Sequence, residues 1–305
     1  MRFLAINNLA SGYGDGLIYD FIRSLVQDGD EVVLRSTDGS TDLRSFLTDA
    51  SEFDAVIASG GDGTIATVSY LLANTGIPIL PLPSGTANLL TQNLASPNEP
   101  HALAKQLRAG LMLDFDLGEL DIEGDCYGFA IMSGTGYDAA IMEEAEPNKK
   151  LWGVMAYFGA AVTMIGSKPS RFTLTLDGQT VETDGLGILI MNFSKIQFDL
   201  SIAHNNRPRD GWFDIAVLKT DTPLGLLPVV HAAALDALAE NPDRTEQMQF
   251  FRAKEVRVEA DPPMKIEYDG EVAHRNTPFT ARILPKAARF IVSEEGYEIF
   301  NRDEA

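Results

Sequence analysis

The sequence has little cysteine and few positive charges. Cys126 is the only cysteine among 305 residues, so no intrachain disulfide can form and a reducing compartment is the simpler expectation. Lysine and arginine number 24 against 44 aspartates and glutamates, which gives a formal net charge of −20. Proteins that hold a nucleic-acid backbone need clustered positive charge, so nucleic-acid binding is not expected. The same charge opposes general attraction to anionic membranes, although a local basic patch can still dock.

Long hydrophobic runs are also missing. No apolar segment reaches the roughly 20 residues that span a bilayer, and the apolar start at residues 3–6 is too short for a secretory signal peptide. The chain is nevertheless 45% hydrophobic and only 22% charged, which is typical of a packed globular protein. Its 305 residues suit two domains of roughly 100–200 residues each.

The first third of the chain has the pattern of a parallel α/β domain. Short apolar runs alternate with segments of helical period, an order that favours a parallel sheet covered on both faces. The predicted strands are residues 3–6, 32–34, 55–58 and 77–82, and the predicted helices are residues 17–26, 42–47 and 65–73.

From about Asp116 the period changes to that of short antiparallel strands. Asp177 and Gly178 separate two alternating runs, which is a hairpin signal. Many such runs together indicate an antiparallel sandwich or barrel. They are residues 172–176, 179–183, 186–193, 213–218, 255–258, 264–268, 279–284 and 289–292.

Two helical insertions are predicted inside this second region, at residues 151–165 and 224–239. We therefore predict an α/β domain over residues 1–115 and an antiparallel β-sandwich domain over residues 116–305. A return of the last residues to the first domain is left open.

A glycine-rich loop follows the third predicted strand. It consists of Gly60, Gly61, Asp62, Gly63 and Thr64, and a predicted helix follows it. Glycines let the backbone approach a phosphate closely, and a helix N-terminus offers unpaired N–H donors. The Asp62 carboxylate supplies the type of oxygen that nucleotide-bound Mg²⁺ takes. No lysine follows the glycines, so this is not a Walker loop. The alternative is a tight turn in which Asp62 only caps the helix.

Two further loops follow other predicted strands. Because the carboxyl ends of parallel strands lie along one edge of an open sheet, the loops after the third and fourth strands should share that edge, and the loop after the first strand could add amide and hydroxyl donors. The loop after the fourth strand, paired with the glycine-rich loop, favours a common phosphate site. Taken alone, it also fits an ordinary helix cap, and the loop after the first strand fits a flexible surface loop. The residues concerned are Gly85, Thr86 and Asn88 after the fourth strand, and Asn7, Ser11 and Gly12 after the first.

The three loops resemble those of the diacylglycerol-kinase catalytic-domain family, which includes bacterial diacylglycerol kinases, related lipid kinases and sphingosine kinases. Further matching segments spread over nearly the whole chain. They are Asp116-Leu117-Gly118, Asp210-Gly211-Trp212-Phe213-Asp214 and Asp269-Gly270-Glu271. The resemblance implies an α/β nucleotide domain, a C-terminal β-sandwich and ATP in the cleft between them. It also implies transfer of the ATP γ-phosphoryl group to a lipid hydroxyl, with Mg²⁺ as cofactor.

The resemblance also implies roles for individual residues. Asp62 and Asp116 match acidic positions linked to the catalytic magnesium, and Glu271 matches the residue that accepts the proton of the substrate hydroxyl. Read alone, Asp116 is a structural carboxylate and Glu271 a solvated strand residue. Phosphoryl transfer depends mainly on positioning and charge neutralisation, so a carboxylate base suffices. Nucleotide contacts are implied at Asn7, Ser11, Gly12, Gly60, Gly61, Asp62, Gly63, Thr64, Gly85, Thr86 and Asn88.

The sequence departs from the family pattern at four positions. Asn8, Thr67 and Leu89 stand where the family commonly has proline, glutamate and aspartate, and Arg209 stands where a second aspartate is frequent beside Asp210. Leu89 removes one link of the magnesium network. Arg209 argues against the structural magnesium that some members hold near Asp210.

The implied reaction determines the expected partners and location. The acceptor is expected to be a diacylglycerol-like or sphingoid lipid at a membrane surface. The protein is expected to be a cytoplasmic enzyme of phospholipid metabolism, peripheral at the inner membrane face. The apolar stretch at residues 149–158 is either a helix that touches lipid or a helix packed against the sandwich.

Two other functions stay open at this point. One is an NAD kinase, which shares the loop from Gly60 to Thr64, and the other is a non-catalytic nucleotide- or lipid-binding regulatory protein. Cys126 lies on an apolar run and is expected to be a buried structural thiol. The identity of the lipid and the oligomeric state, including a homodimer, are not predicted.

Overall fold

A computed structural model describes residues 1–11, 16–27, 29–136, 169–196, 201–203, 205–219 and 247–302. The chain divides into two compact units. Unit 1 consists of Met1–Leu117 and Leu284–Ala305, and unit 2 of Gly118–Ile283. The insertions predicted at residues 151–165 and 224–239 lie outside the described residues, as does the apolar stretch at 149–158.

Unit 1 is an α/β domain built on a parallel sheet. Its elements are β1 (Arg2–Asn8), α1 (Leu17–Leu25), β2 (Glu31–Thr37), β3 (Ala55–Gly60), α2 (Asp62–Leu71), β4 (Pro78–Pro83), α3 (Leu89–Asn93), α4 (Pro100–Ala109), the start of β5 (Met112–Ile122), the end of β16 (Phe279–Ile291) and α5 (Glu294–Arg302). The strands pair in the order β2, β1, β3 and β4, all parallel, and the end of β16 lies parallel to β4.

The core of unit 1 forms because β1 and β3 are apolar on both faces. All six residues of β3 are buried. Phe21 of α1 and Leu103 of α4 pack in one cluster with Phe3 and Ile57 of the sheet. Fully burying each such side chain stabilises the unit by about 1.5–3 kcal/mol. The predicted parallel sheet with covering helices is therefore confirmed.

Local chemistry explains where unit 1 differs from the predicted elements. The helix expected at residues 42–47 is a short 3-10 turn, Leu43–Phe46, capped by the Asp42 carboxylate, which accepts the N–H of Arg44 at 3.0 Å. Helix α4 was not predicted, although it has signals at both ends. Pro100 stands in its first turn, and Gly110 follows it at φ 66°, which are common start and stop residues.

Unit 2 is an antiparallel β-sandwich. Besides the remainder of β5 and β16, its strands are β6 (Asp125–Phe129), β7 (Met132–Thr135), β8 (Ser170–Leu176), β9 (Gln179–Gly185), β10 (Gly187–Met191), β11 (Phe213–Leu218), β12 (Met248–Ala253), β13 (Glu255–Asp261), β14 (Lys265–Tyr268) and β15 (Glu271–Asn276). One sheet has the order β12, β11, β10, β7, β14 and β15. In the other, β9, β8, β13 and the start of β16 follow one another, and the β5–β6 hairpin pairs with β16.

The two sheets of unit 2 share one hydrophobic core. Phe172 and Val256 from one sheet cluster with Ile188, Phe213 and Ile266 from the other, and all five are fully buried. Because each strand sends alternate side chains inward, the alternating runs in the sequence correspond to this core. The fold class predicted for the second half is confirmed.

One strand replaces two predicted ones. Residues 279–284 and 289–291 belong to the single strand β16, which begins in unit 2 and ends in unit 1. Pro285 and Lys286 are exposed in its middle, and Lys286 has a positive φ of 50°. Proline cannot donate a backbone hydrogen bond to a neighbouring strand. The apolar pattern breaks at these two exposed residues, although the strand continues through them.

The prediction for Cys126 was wrong. This residue is exposed on β6 rather than buried. Its position next to the β5–β6 turn leaves it on the solvent side of the hairpin, where it lies near acidic residues. Desolvation, followed by the charges of Glu119 and Asp121, raises the pKa of the thiol. The thiol therefore stays protonated near neutral pH, which argues against a nucleophilic role.

The packing at Gly118 generates a stability prediction. A Cβ at this position would lie 2.0 Å from the Phe129 ring. That ring is only 1% exposed and stacks on Phe213 with ring centroids 5.6 Å apart, so it has little room to move. We expect Gly118→Ala to lower the free energy of unfolding by about 1–3 kcal/mol, the usual cost of overpacking, as measured by chemical denaturation.

A second substitution separates this clash from other effects at the site. Phe129→Leu removes the ring atoms that a Cβ on Gly118 would meet. In that background Gly118→Ala should cost clearly less than in the wild-type protein. An equal cost in both backgrounds would show that the Phe129 ring is not the obstacle.

Candidate active site

The three predicted loops lie at one edge of the unit 1 sheet. Strand β3 stands between β1 and β4, so the carboxyl ends of these three strands are neighbours. Asn7 pairs in register with Ser59, and Gly60 with Pro83. The shared edge predicted for the loops after β3 and β4 is therefore confirmed, and the loop after β1 lies there too. Gly12 lies outside the described residues.

The loops after β3 and β4 meet backbone to backbone. A Cβ built on Gly85 would lie 2.5 Å from the Cα of Gly61 and 3.2 Å from its nitrogen. Gly61 itself has room, because its own Cβ would be 3.8 Å from the nearest atom, and its φ of −78° is ordinary. Of these two glycines, Gly85 is therefore the one where a side chain does not fit.

Side chains tie the first loop to the glycine-rich loop. Ser11 Oγ accepts the N–H of Gly61 at 3.2 Å, and Asn8 Nδ2 donates to Thr64 Oγ1 at 2.8 Å. Asn8 is one of the departures from the family pattern, and the proline common at that position could not make this bond. The departure thus adds a link between the two loops.

A buried row of polar groups lies beneath the loops. Ser59 Oγ donates to Asn7 Oδ1 at 3.0 Å and lies 3.0 Å from Ser84 Oγ. Ser59 is 0% exposed, so these partners satisfy a hydroxyl that water cannot reach. The row joins the ends of β1, β3 and β4. Sequence reasoning missed Ser59, whose one signal was a polar residue at the end of an otherwise apolar strand.

Asp62 begins helix α2 but caps another helix. Its two carboxylate oxygens accept the N–H groups of Leu89 and Leu90, at 3.0 and 2.9 Å. These are the first residues of α3, whose unpaired amides an anion stabilises. The N-cap of α2 is Gly61, which makes no side-chain cap. The cap predicted as the alternative role of Asp62 therefore exists, but on α3. Leu89 takes part in this cap through its backbone N–H, which donates to the carboxylate.

Asn88 shapes the turn before α3. Its φ is 52°, its Oδ1 accepts the N–H of Gly85 at 2.8 Å, and its Nδ2 donates to the Gly85 carbonyl at 3.0 Å. The amide side chain therefore closes a small ring around the residue that touches Gly61. Thr86, between them, is exposed at the surface of the loop.

The surroundings of Asp62 fit a nucleotide-bound magnesium ion. Burial raises the pKa of this carboxyl, although the amides of Leu90 and Leu89 act in the opposite direction. Each carboxylate oxygen has two lone pairs, so one amide bond per oxygen leaves acceptor capacity. Mg²⁺ in nucleotide sites takes one or two carboxylates together with phosphates and waters. Among the residues that the structure describes, no three His, Cys, Asp or Glu side chains group closely enough to hold a metal by themselves.

Asp116 makes a structural contact within unit 1. It is 0% exposed, and its Oδ1 accepts the N–H of Lys286 at 2.7 Å. Lys286 is the residue of positive φ in β16, so the carboxylate fixes the irregular part of that strand to β5. The magnesium-linked role that the resemblance implies for Asp116 stays a prediction.

Glu271 lies in unit 2 at the start of β15. It follows the Asp269–Gly270 turn, and Tyr268 is its cross-strand partner. Desolvation raises the pKa of Glu271, which moves it toward the range useful for a general base at neutral pH. Burial, followed by the charge of Glu271, raises the pKa of Tyr268 to about 12. The phenol therefore stays neutral beside the carboxylate.

Arginine neutralises the acidic segment near Asp210. Arg252 Nη2 bonds Asp210 Oδ2 at 2.5 Å, and its Nε lies 3.1 Å from Asp214 Oδ1. Asn206 Nδ2 donates to Asp214 Oδ2 at 2.8 Å. A guanidinium thus stands next to both carboxylates. The expectation drawn from Arg209, that a structural magnesium is disfavoured near Asp210, stays a prediction.

Two family models match the chain and together cover most of it. The model described as the diacylglycerol kinase catalytic domain matches residues 2–120. The model described as the YegS C-terminal NAD kinase beta sandwich-like domain matches residues 131–292. The first contains all three loops at the sheet edge, and the second contains Glu271.

Curated relatives match over similar lengths. A diacylglycerol kinase of Mycobacterium tuberculosis is 29% identical over 309 residues, which is 97% of this chain and 96% of the relative. An uncharacterized protein of Synechocystis is 30% identical over 250 residues, 79% of this chain. The match spans only 55% of that Synechocystis protein, or about half its length.

Solved structures share the fold. A Bacillus anthracis crystal structure titled as a diacylglycerol kinase superposes with a TM-score of 0.70 at 20% identity, covering 96% of this chain and 97% of that one. An NAD kinase from Archaeoglobus fulgidus in complex with ATP gives a TM-score of 0.56 at 14% identity, covering 99% and 98%. At these identities the similarity shows the fold alone.

The contact between the glycine loops predicts that Gly85 matters more than Gly61 for the ATP site expected here. Gly85→Ala should push the two loops apart and weaken ATP affinity by roughly tenfold or more, since a Cβ there meets backbone rather than a movable side chain. Calorimetric titration with ATP and Mg²⁺ measures the effect. Gly61→Ala is the matched control, because its Cβ reaches only ordinary contact distance, and its effect should be smaller. A folded Gly85→Ala protein with wild-type affinity would contradict the role of this contact.

Proposed function

Because the chain belongs to the diacylglycerol kinase catalytic-domain family, we propose that it is an ATP- and Mg²⁺-dependent lipid kinase. The hydroxyl oxygen of the lipid forms a bond to the γ-phosphorus, the bond from that phosphorus to the β-phosphate bridging oxygen breaks, and ADP leaves. The hydroxyl proton passes to a carboxylate. The proposed acceptor is a diacylglycerol-like or sphingoid lipid.

The observation that carries this proposal is the contact between the two glycine loops. Gly61 and Gly85 bring two backbone segments together at the carboxyl edge of a parallel sheet, where such folds bind ligands. Thr64 and the amides of the first turn of α2 stand beside them. Donors at a helix N-terminus suit the charge of a triphosphate. These features support a phosphate site made by unit 1.

Magnesium and the base have separate proposed positions in the chain. Mg²⁺ bound to ATP neutralises charge that develops on the phosphates, and Asp62 is the described residue that fits as its carboxylate ligand. Glu271 is the proposed base. Its raised pKa supports the assignment, because a base works best when its pKa is near the working pH.

The proposed substrate puts the site of action at a membrane surface. Among the described residues, no helix has both the length and the apolar character needed to cross a bilayer. We propose that the enzyme works from the cytoplasmic side as a peripheral protein. The name of the Mycobacterium tuberculosis relative supports diacylglycerol as the first lipid to test.

A transfer assay tests the function directly. Purified protein is incubated with labelled ATP, Mg²⁺ and a panel of diacylglycerol, a sphingoid base and ceramide in detergent micelles. NAD in a parallel reaction tests the NAD kinase alternative. We expect label on at least one lipid and none on NAD. Label on NAD alone would replace the proposal with the alternative, and ATP binding without any transfer would support the non-catalytic reading.

The position of Asp62 predicts a loss of turnover in Asp62→Asn. Asparagine lacks the negative charge that Asp62 places next to the phosphates. Its side-chain NH₂ group also stands where a carboxylate oxygen accepted a backbone N–H of α3. We expect phosphoryl transfer to fall roughly a hundredfold or more. The Mg²⁺ concentration for half-maximal rate should rise, which loss of a cap alone would not cause. Turnover near the wild-type value would exclude a metal ligand at Asp62.

The raised pKa of Glu271 predicts a specific pH dependence. A base must be deprotonated to act, so the rate of the wild-type enzyme should fall as the pH drops through a value above the ordinary glutamate pKa of 4.5. Glu271→Gln should lower kcat by roughly 10²–10⁴, with ATP affinity little changed, and should remove this acidic limb. An unchanged kcat, with an unchanged fall in rate at low pH, would mean that another carboxylate is the base.

A further inference from the structure

Two hairpins of unit 2 use the same turn. Asp177 and Gly178 have φ values of 47° and 85°, and Asp269 and Gly270 have 45° and 83°. Such angles belong to the two-residue turn that Asp-Gly favours. In both hairpins the aspartate side chain reaches a neighbouring segment of the chain. The pair allows one turn to serve as a reference for the other.

The carboxylate of Asp269 is surrounded by backbone amides. Its Oδ2 accepts the N–H of Ala130 at 2.6 Å, and its Oδ1 accepts those of Ile131 and Met132 at 2.9 and 3.0 Å. The Asp269 N–H donates to the Met132 carbonyl at 2.9 Å. Three successive amides that converge on one anion form a backbone nest. Three backbone amides thus fix the position of the Asp269 carboxylate.

The segment that holds Asp269 is itself fixed from the other side. Asn192 Nδ2 donates to the Ala130 carbonyl at 2.8 Å, and the N–H groups of Asn192 and Phe193 donate to the Ile131 carbonyl at 2.9 and 3.0 Å. Asn192 is 0% exposed. The segment that binds Asp269 is therefore anchored to the two residues that directly follow β10.

Glu271 lies only two residues after Asp269. The turn fixes where β15 starts, and side chains of β7 hold β14, since Ser133 Oγ donates to the Glu267 carbonyl at 2.7 Å. We propose that Asp269 is a positioning residue: by binding the amides of residues 130–132 it places the Glu271 carboxylate for proton abstraction, and it is not itself a second base. This inference rests on the proposed function, in which Glu271 is the base.

Position matters because proton transfer needs a short contact. A base must come within about 2.6–3.2 Å of the hydroxyl it deprotonates, and a misplacement of about 1 Å can cost roughly a hundredfold in rate. Asp269→Asn keeps the size of the side chain but puts an NH₂ group against an amide N–H of the nest. Two donors then face each other, so the turn must shift.

We expect Asp269→Asn to lower kcat by roughly 10- to 100-fold, with KM for ATP and for the lipid within about twofold of wild type. The control is Asp177→Asn. The Asp177 carboxylate accepts the N–H groups of Lys254 and Glu255 at 3.0 and 2.9 Å, so this variant loses comparable bonds far along the chain from Glu271. Both variants should lower the melting temperature by similar amounts, but Asp177→Asn should keep wild-type kcat. An equal loss of kcat in the two variants would mean general loosening of unit 2 and would overturn the proposal.

The double variant Asp269→Asn/Glu271→Gln completes the experiment. If Asp269 acts only through Glu271, the double variant should be no slower than Glu271→Gln alone. Hydrogen exchange should also speed up at the amides of residues 130–132 in Asp269→Asn, independently of activity. Wild-type kcat in Asp269→Asn, with Glu271→Gln slow, would overturn the positioning role and leave the base in place. Wild-type kcat in Glu271→Gln would instead remove the base, and the positioning role with it.

Discussion

The contact between the loops that follow β3 and β4 is the constraint on which the proposed site depends. Because a Cβ on Gly85 would stand 2.5 Å from the Cα of Gly61, the loops can meet only if residue 85 is glycine. Asp62 then reaches across this contact to the amides of α3. Ser59 joins the strand ends below it. The edge is therefore preorganised by the chain itself, as electrostatic catalysis of phosphoryl transfer requires.

Several carboxylates of this acidic chain organise its backbone. Asp62, Asp116, Asp177 and Asp269 each accept backbone N–H groups from a segment distant in sequence. Charge-assisted bonds of this kind are shorter and stronger than neutral ones. Part of the negative charge thus serves to hold loops and turns in place. Desolvation raises the pKa of both Asp62 and Glu271, but both carboxylate oxygens of Asp62 accept amides of α3.

Local patterns predicted much of the fold and less of the site. The Asp177–Gly178 hairpin and the buried strand β3 were predictable, because turn chemistry and apolar runs are properties of adjacent residues. The continuity of β16 through Pro285 depends on partner strands far along the chain. So does the role of Asp62, whose N–H donors lie 27 and 28 residues away. Glycine spacing could indicate a phosphate loop, but not that Gly85 is the tighter of the two positions.

Hydrogen exchange with and without ATP and Mg²⁺ tests the central claim most directly, because it locates the nucleotide without assuming a lipid. We expect hydrogen exchange to slow on addition of ATP at amides of the three loops, in residues 8–11, 60–64 and 85–90. Amides elsewhere in the parallel sheet of unit 1 should change little. Slower exchange elsewhere in the chain, with these loops unchanged while ATP is bound, would contradict the account.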